Sequence, residues 1–339
     1  MWTRIKHSVQ SVLTGKSQRS AIQVMAEPKA VNSQEAIARL REFGYGFTED
    51  GKLHKIDPAT GEPGEEPFVF QISEDAEVNR EHYAKLANQI PEIVYELLEK
   101  NGLQKTYLPL DMPIERSTFV FTQPQPISKS KKLLVLINGS GYVLAGQWAR
   151  KLIINNSLDH GTQLPYIKRA QQLGYDILVT NTNDNAREIK GKLKPIKGLD
   201  TAFRHASYVW ENVVIPSNPE NVAIVAHSFG ASIARNLTEN YTDFFKEKVF
   251  AIALTDGTIG SPPASCKQYF IDVACNWASS NEPLDTDLRR EQTRDSFRRV
   301  SAGHPEHEWS SYSAMESIFK FFEDKYEQRV GTKDTSSNT

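Results

Sequence analysis

From Lys131 onward, short and almost wholly apolar runs alternate with amphipathic segments. Leu133 to Ile137, Asp176 to Thr180, Val222 to Ala226 and Val249 to Leu254 are the clearest of these runs. Continuous apolar runs of this length predict strands buried on both faces. The segments between them predict crossover helices, so the pattern as a whole reads as a mostly parallel sheet covered on both sides. Helices are expected from about Thr162 to Gly174, from Thr201 to Val214 with Asp200 as cap, and from Ala231 to Tyr241. Beyond Leu254 the pattern predicts a helix over Ala264 to Val273, a strand over Cys275 to Ser279 and a helix over Asp287 to Phe297. A short strand from Arg299 to Ser301 and a closing amphipathic helix from Ser313 to Tyr326 follow.

Before Lys131 the pattern is different. Asn32 or Ser33 can open a helix running to Phe43, because these side chains accept free N–H groups of a first helical turn. Asp50-Gly51 marks a hairpin, Phe68 to Ile72 alternates as a strand would, and Asp75 to Asn101 has helical spacing, with Ile93, Val94, Leu97 and Leu98 on one face. The expected organisation is a basic flexible tail (1–32), an N-terminal extension packing on the core (33–130), an α/β domain (131–327) and a second flexible tail (328–339). The first 26 residues hold Arg4, Lys6, Lys16 and Arg19 and no acid. That composition fits a disordered basic tail or a mitochondrial presequence, and it lacks the apolar centre of a secretory signal.

Composition narrows the class. Hydrophobic residues at 39% and charged residues at 24% argue against disorder throughout. No run approaches the ~18 apolar residues of a membrane span, so no membrane partner is expected. A net charge of −2 supplies no general field for nucleic acid, and RNA contact would need a local basic patch. Two cysteines, Cys266 and Cys275, without a CxxC pair, read as buried thiols in a reducing, intracellular setting.

The sharpest local signal is Val225-Ala-His-Ser-Phe-Gly-Ala231, a small-x-Ser-x-Gly segment between the third strand and a helix. In a nucleophile elbow the serine occupies a strained turn, so the residues two before and two after it must be small, and Ala226 and Gly230 are. Ser228 is therefore the candidate nucleophile of an α/β-hydrolase-like fold. The oxyanion donors expected are the N–H of Phe229 and those of Gly139 and Ser140, in the loop Asn138-Gly-Ser-Gly141 after the first strand. Gly139-x-Gly141 is also half of a dinucleotide loop. Leu144 stands where its third glycine belongs and no acid closes the next strand, so no cofactor is expected.

In this fold the chain order is serine, acid, histidine. Only His304 and His307 lie beyond Ser228, in Ser301-Ala-Gly-His-Pro-Glu-His-Glu308. Either can act as base. Their spacing, with Glu306, does not suit a metal, and none is expected. For the acid, Glu282 in Glu-Pro-Leu-Asp285 follows the candidate strand Cys275 to Ser279 and is the first choice. Asp256 and Asp285 are the alternatives. Such a site points to a serine hydrolase acting on a small acyl substrate.

Taken together, Asn138-Gly-Ser-Gly141, Ala145-Gly-Gln-Trp-Ala-Arg150, Ala226-His-Ser-Phe-Gly230, Leu254-Thr-Asp256, Glu282-Pro-Leu-Asp285 and Val300-Ser-Ala-Gly303 resemble the Arb-type (Argonaute-binding protein) domain family over roughly residues 35 to 325. The resemblance implies a regulator on an α/β-hydrolase scaffold, acting in small-RNA-guided silencing, heterochromatin formation or cotranscriptional control. It implies Argonaute, chromatin or splicing proteins as partners, small RNA contacted directly or through them, and residence in nucleus and cytoplasm. The family's Ser-Ala-Gly-x-x-x-His arrangement falls on His307. Two departures stand out. Asn138 replaces the usual histidine, and the segment from Asn185 to Asp200 is short, yet it still carries Arg187, Lys190, Lys192, Lys194 and Lys197. That loop reads as solvated or as a phosphate-contacting lid.

Overall fold

The structure is a computed structural model that describes residues 33–127, 130–288 and 297–336. The basic tail before Ser33 and most of the helix expected from Asp287 to Phe297 lie outside the described residues.

The extension begins with the helix Ser33–Glu42 and a three-stranded sheet of β1 (Tyr45–Phe47), β2 (Leu53–Ile56) and β3 (Pro63–Pro67). The hairpin turns at Asp50-Gly51, with Gly51 at φ 77°, where a side chain would be strained. The strand expected over Phe68 to Ile72 does not form. Phe68 N–H makes a last bond to Leu53 carbonyl, and Val69, Phe70 and Ile72 turn outward. The single helix expected from Asp75 to Asn101 is two, Ala76–Ala87 and Ile90–Lys100, because Pro91 starts a new first turn rather than continuing the old one.

The extension also supplies two strands to the main sheet. β4 (Gln104–Leu108) and β5 (Thr118–Thr122) pair antiparallel, and β5 lies antiparallel on β7 (Asp176–Val179). With β6 (Leu133–Ile137), β10 (Val222–His227), β11 (Val249–Thr255), β12 (Ala274–Ala278) and β13 (Arg298–Ser301), these form one eight-stranded sheet. Its order is β13-β12-β11-β10-β6-β7-β5-β4, with every pair from β13 to β7 parallel. The lysine-rich segment is a separate hairpin of β8 (Ala186–Ile189) and β9 (Lys192–Pro195), with Arg187 paired to Asp184 and the lysines exposed.

Side chains alternate across the sheet, as a strand's two-residue period requires. Leu134, Leu136, Ala223 and Val225 face a layer with Val94, Leu98, Trp148, Tyr166 and Phe322. Leu133, Val135, Ile137, Val222 and Ile224 face the opposite layer of Trp210, Leu237, Phe245 and Phe270. The continuous apolar runs are thus explained by burial on both faces. The helix Ala202–Val209 is capped by Thr201, not by Asp200: the Thr201 hydroxyl accepts from Arg204 N–H, and Asp200 pairs with the Arg204 guanidinium instead. Cys266 and Cys275 are both buried, and among the described residues no helix is long and apolar enough to cross a membrane.

Candidate active site

β10 and β11 run parallel in register, Ala226 beside Leu254 and His227 beside Thr255. The chain turns sharply at the end of each. Ser228 follows β10 at φ 54° and Asp256 follows β11 at φ 43°, both in the left-handed region that non-glycine residues rarely adopt. Ser228 N–H donates to Thr255 carbonyl at 3.0 Å, and Ser228 carbonyl accepts from Thr258 and Ala231 N–H, each at 3.1 Å. Those bonds hold the strained turn in place. Gly230 then starts the helix Gly230–Asn240 against the end of β6, where a Cβ would lie 2.7 Å from Ile137 carbonyl oxygen and 2.8 Å from that of Asn138.

The acid is where the structure departs from the first choice. Asp256 Oδ2 lies 2.7 Å from His307 Nδ1. Behind it, Ser279 binds the same carboxylate twice, its N–H donating to Oδ1 at 3.1 Å and its hydroxyl to Oδ2 at 2.7 Å. Glu282 does not reach the imidazole. Its N–H donates to Ser280 hydroxyl, its carbonyl accepts from Ser301 hydroxyl, and its side chain is exposed. Asp285 is engaged elsewhere, accepting from Trp277 indole at 3.0 Å and Ser317 hydroxyl at 2.6 Å. The turn 280–286 is pinned to the end of β13, so the carboxylate paired with His307 is that of Asp256 at the end of β11, one strand nearer Ser228, and the end of β12 contributes Ser279, which donates to it.

Burial works to raise the Asp256 pKa, but the hydrogen bonds from His307 and Ser279 outweigh it and hold the carboxyl at about 2. His307 moves the other way. Its hydrogen bond to the carboxylate raises it above the ordinary 6.5, against partial burial. His227 packs its ring on His307, centroids 4.7 Å apart, and its Nδ1 contacts Thr255 carbonyl at 3.0 Å. Burial, with the neighbouring His307 charge second, drives His227 down to about 4, so it stays neutral beside the base. His304, the other sequence candidate, stacks on Trp309 at 4.9 Å and accepts from Glu306 N–H through Nδ1. It takes no part in the pair with Asp256.

The loop after β6 is clamped against the elbow. Asn138, expected near the oxyanion, is fully buried and donates to Gly139 and Val143 carbonyls at 3.1 Å. Asn183 donates to the same two carbonyls at 2.8 Å. A Cβ on Gly139 would stand 3.0 Å from Ser228 Cβ, so glycine lets this backbone approach the serine without crowding it. Among the described residues the N–H groups of Gly139, Ser140 and Phe229 donate to no acceptor in the protein. Gly139, Ser140, Ser228 and His307 line one cavity of about 170 Å³. The Ser228 hydroxyl makes no direct hydrogen bond to His307 among the described residues, although both line the same cavity.

Ser279, Asn183 and His227 also belong to this cluster. Of these, only His227 carried a signal in the sequence, since it stands inside the elbow motif.

Sheet order, elbow, and a histidine loop after the last strand make this an α/β-hydrolase fold. The family model of the Arb2 domain matches residues 38–284. The chain belongs to the Arb2 domain family. Among Arb2 relatives, the "Cotranscriptional regulator ARB2A homolog" of Xenopus tropicalis is 36% identical, covering 84% of this chain and 79% of its own. The "Cotranscriptional regulator ARB2A" of Homo sapiens is 35% identical over 86% of this chain and 82% of its own. Among solved structures, a histone deacetylase from Saccharomyces cerevisiae superposes over 70% of this chain and 97% of its own, at 14% identity and a TM-score of 0.48.

Proposed function

We propose that this protein is a regulator of gene expression of the Arb2 kind and that it carries a working acyl-hydrolase site. The observation behind the chemistry is the Asp256–His307 pair, 2.7 Å apart, beside the Ser228 elbow. In this reading Ser228 Oγ attacks the acyl carbonyl while His307 Nε2 takes its proton. The tetrahedral oxyanion is met by the N–H groups of Phe229, Gly139 and Ser140. His307 returns the proton to the departing alcohol, leaving an acyl-serine. Water, deprotonated by the same imidazole, then releases the acid and restores the serine.

A fluorophosphonate probe tests this directly. The expected result is a covalent adduct mapped by mass spectrometry to the peptide holding Ser228, and a protein left unlabelled would end the hydrolase reading. Ester hydrolysis is also expected to rise with pH through a midpoint above 6.5, because below it His307 is protonated and cannot accept the Ser228 proton. Asp256, at about 2, stays ionised throughout that range. A pH–rate profile with its midpoint at or below 6.5 would contradict the pairing.

The regulatory half rests on relatives named cotranscriptional regulators that align with 84% and 86% of this chain. In this reading the protein resides in the nucleus, with a cytoplasmic pool, and binds Argonaute, chromatin or splicing proteins. The exposed lysines of the β8–β9 hairpin are available to phosphates of an associated small RNA. Co-precipitation of tagged protein with Argonaute, for wild type and Ser228→Ala, separates the two halves. The alanine variant is expected to keep partner capture. Loss of capture from a folded variant would show that the serine and the partner surface are one feature.

A further inference from the structure

The charges around the Ser228 cavity are unevenly compensated. Its lining includes Trp148, Arg150, Lys151, Ser228, His307 and Glu308. Lys151 is satisfied, its Nζ lying 3.3 Å from Glu306 and 3.6 Å from Glu308, and the same contact neutralises the one lining carboxylate. His307 is taken up by Asp256. Arg150 has no such partner: among the described residues it forms no ion pair with a carboxylate. Its guanidinium lies over the rings of Tyr142, at 5.1 Å, and Tyr83, at 6.0 Å.

That arrangement differs from the other partly buried arginines. Arg187 is forked onto Asp184, and Arg329 donates to Asn221 and to Glu247 carbonyl. A guanidinium has five donors and no means of shedding its charge at ordinary pH, so a half-buried one whose hydrogen bond goes to the neutral Tyr83 hydroxyl and to no carboxylate among the described residues is a standing cost. The aromatic flanks hold it in the cavity wall without supplying a negative charge to match it. Carboxylates meet a guanidinium edge through two parallel hydrogen bonds. The cavity is small, about 170 Å³, which suits a short acyl chain.

We propose that Arg150 is the anion-recognition group of the Ser228 cavity and that the acyl groups removed there are short ones ending in a carboxylate. This rests on the acyl-transfer reading. The distal carboxylate forks onto Arg150 while the proximal carbonyl reaches Ser228, so one site both orients and cleaves. Neutral esters of equal length lack the second anchor.

The test compares the mono-p-nitrophenyl ester of glutaric acid with p-nitrophenyl valerate, on full-length wild type, Arg150→Gln and Arg150→Lys. Wild type is expected to favour the anionic ester in kcat/KM by about 10- to 100-fold, the value of a charge-assisted hydrogen-bonded pair. Arg150→Gln brings the ratio near one, and Arg150→Lys, which keeps the charge but loses the fork, falls between. A wild-type ratio near one, or a ratio unchanged in Arg150→Gln, overturns the proposal while leaving hydrolysis intact. Calorimetric titration with glutarate supplies a readout free of turnover. If neither ester is cleaved, hydrolysis is refuted, whereas glutarate binding that Arg150→Gln abolishes still supports the anion site. Glutarate binding that is absent, or indifferent to Arg150→Gln, refutes the anion site.

Discussion

Asp256→Asn is expected to lower kcat/KM for ester hydrolysis by about 10⁴-fold, the loss that follows when the acid behind a catalytic imidazole becomes an amide. The carboxylate does two things here. It accepts from His307 Nδ1–H at 2.7 Å, which leaves the Nε2 lone pair free for the serine proton, and its charge stabilises the imidazolium formed as the serine attacks. An amide removes the charge, and its NH₂ group turned toward Nδ1 favours the opposite tautomer. The pH midpoint should also fall toward 6.5 in the variant, because the hydrogen bond that raises it is gone. Glu282→Gln, at an exposed side chain, is expected to stay within about twofold of wild type, as surface changes away from a site do. Steady-state kinetics on both variants decides between the two acids. A loss confined to Glu282→Gln would place the acid after β12.

Gly230→Ala is expected to cost about 3 kcal/mol or more of stability, at the upper end for overpacking. The added methyl would meet two carbonyl oxygens, of Ile137 at 2.7 Å and Asn138 at 2.8 Å. Both belong to backbone at the end of β6, which is buried and hydrogen-bonded on either side to β7 and β10, so neither can move aside cheaply. The elbow would have to open, and the Ser228 turn with it. Urea denaturation with a lowered midpoint, or insoluble protein, is the expected outcome. Wild-type stability would mean that the helix Gly230–Asn240 does not press on β6 as described.

The two variants fail for different reasons, which mirror how the site is encoded. Gly230 belongs to a local motif: its smallness, with that of Ala226, is demanded by the same turn that strains Ser228. Asp256 belongs to no local motif that distinguishes it from Glu282 or Asp285. All three are acids close behind strands, and each sits in a turn-like sequence. Glu282 had the stronger local case, because it follows the strand that carries the acid in many hydrolases.

Elements that neighbouring residues dictate are legible in the chain before it folds. Apolar runs at Leu133, Val222 and Val249 announced strands covered on both faces, and small residues flanking Ser228 announced the elbow. A histidine after the last strand followed from the order of the fold. Local sterics and side-chain periodicity act over a few residues, so they leave readable marks. The rest depends on which strand ends lie side by side in the folded molecule. The register of β10 with β11 sets Ser228 beside Asp256. The return of the chain after β13 brings His307 over that pair, and Ser279 closes it from behind. The same holds for β4 and β5, whose edge place in the sheet nothing local dictates, and for Arg150, whose missing carboxylate is a property of its surroundings. Contacts between residues far apart in the chain carry no local periodic signature, so choosing among the acids required the folded molecule.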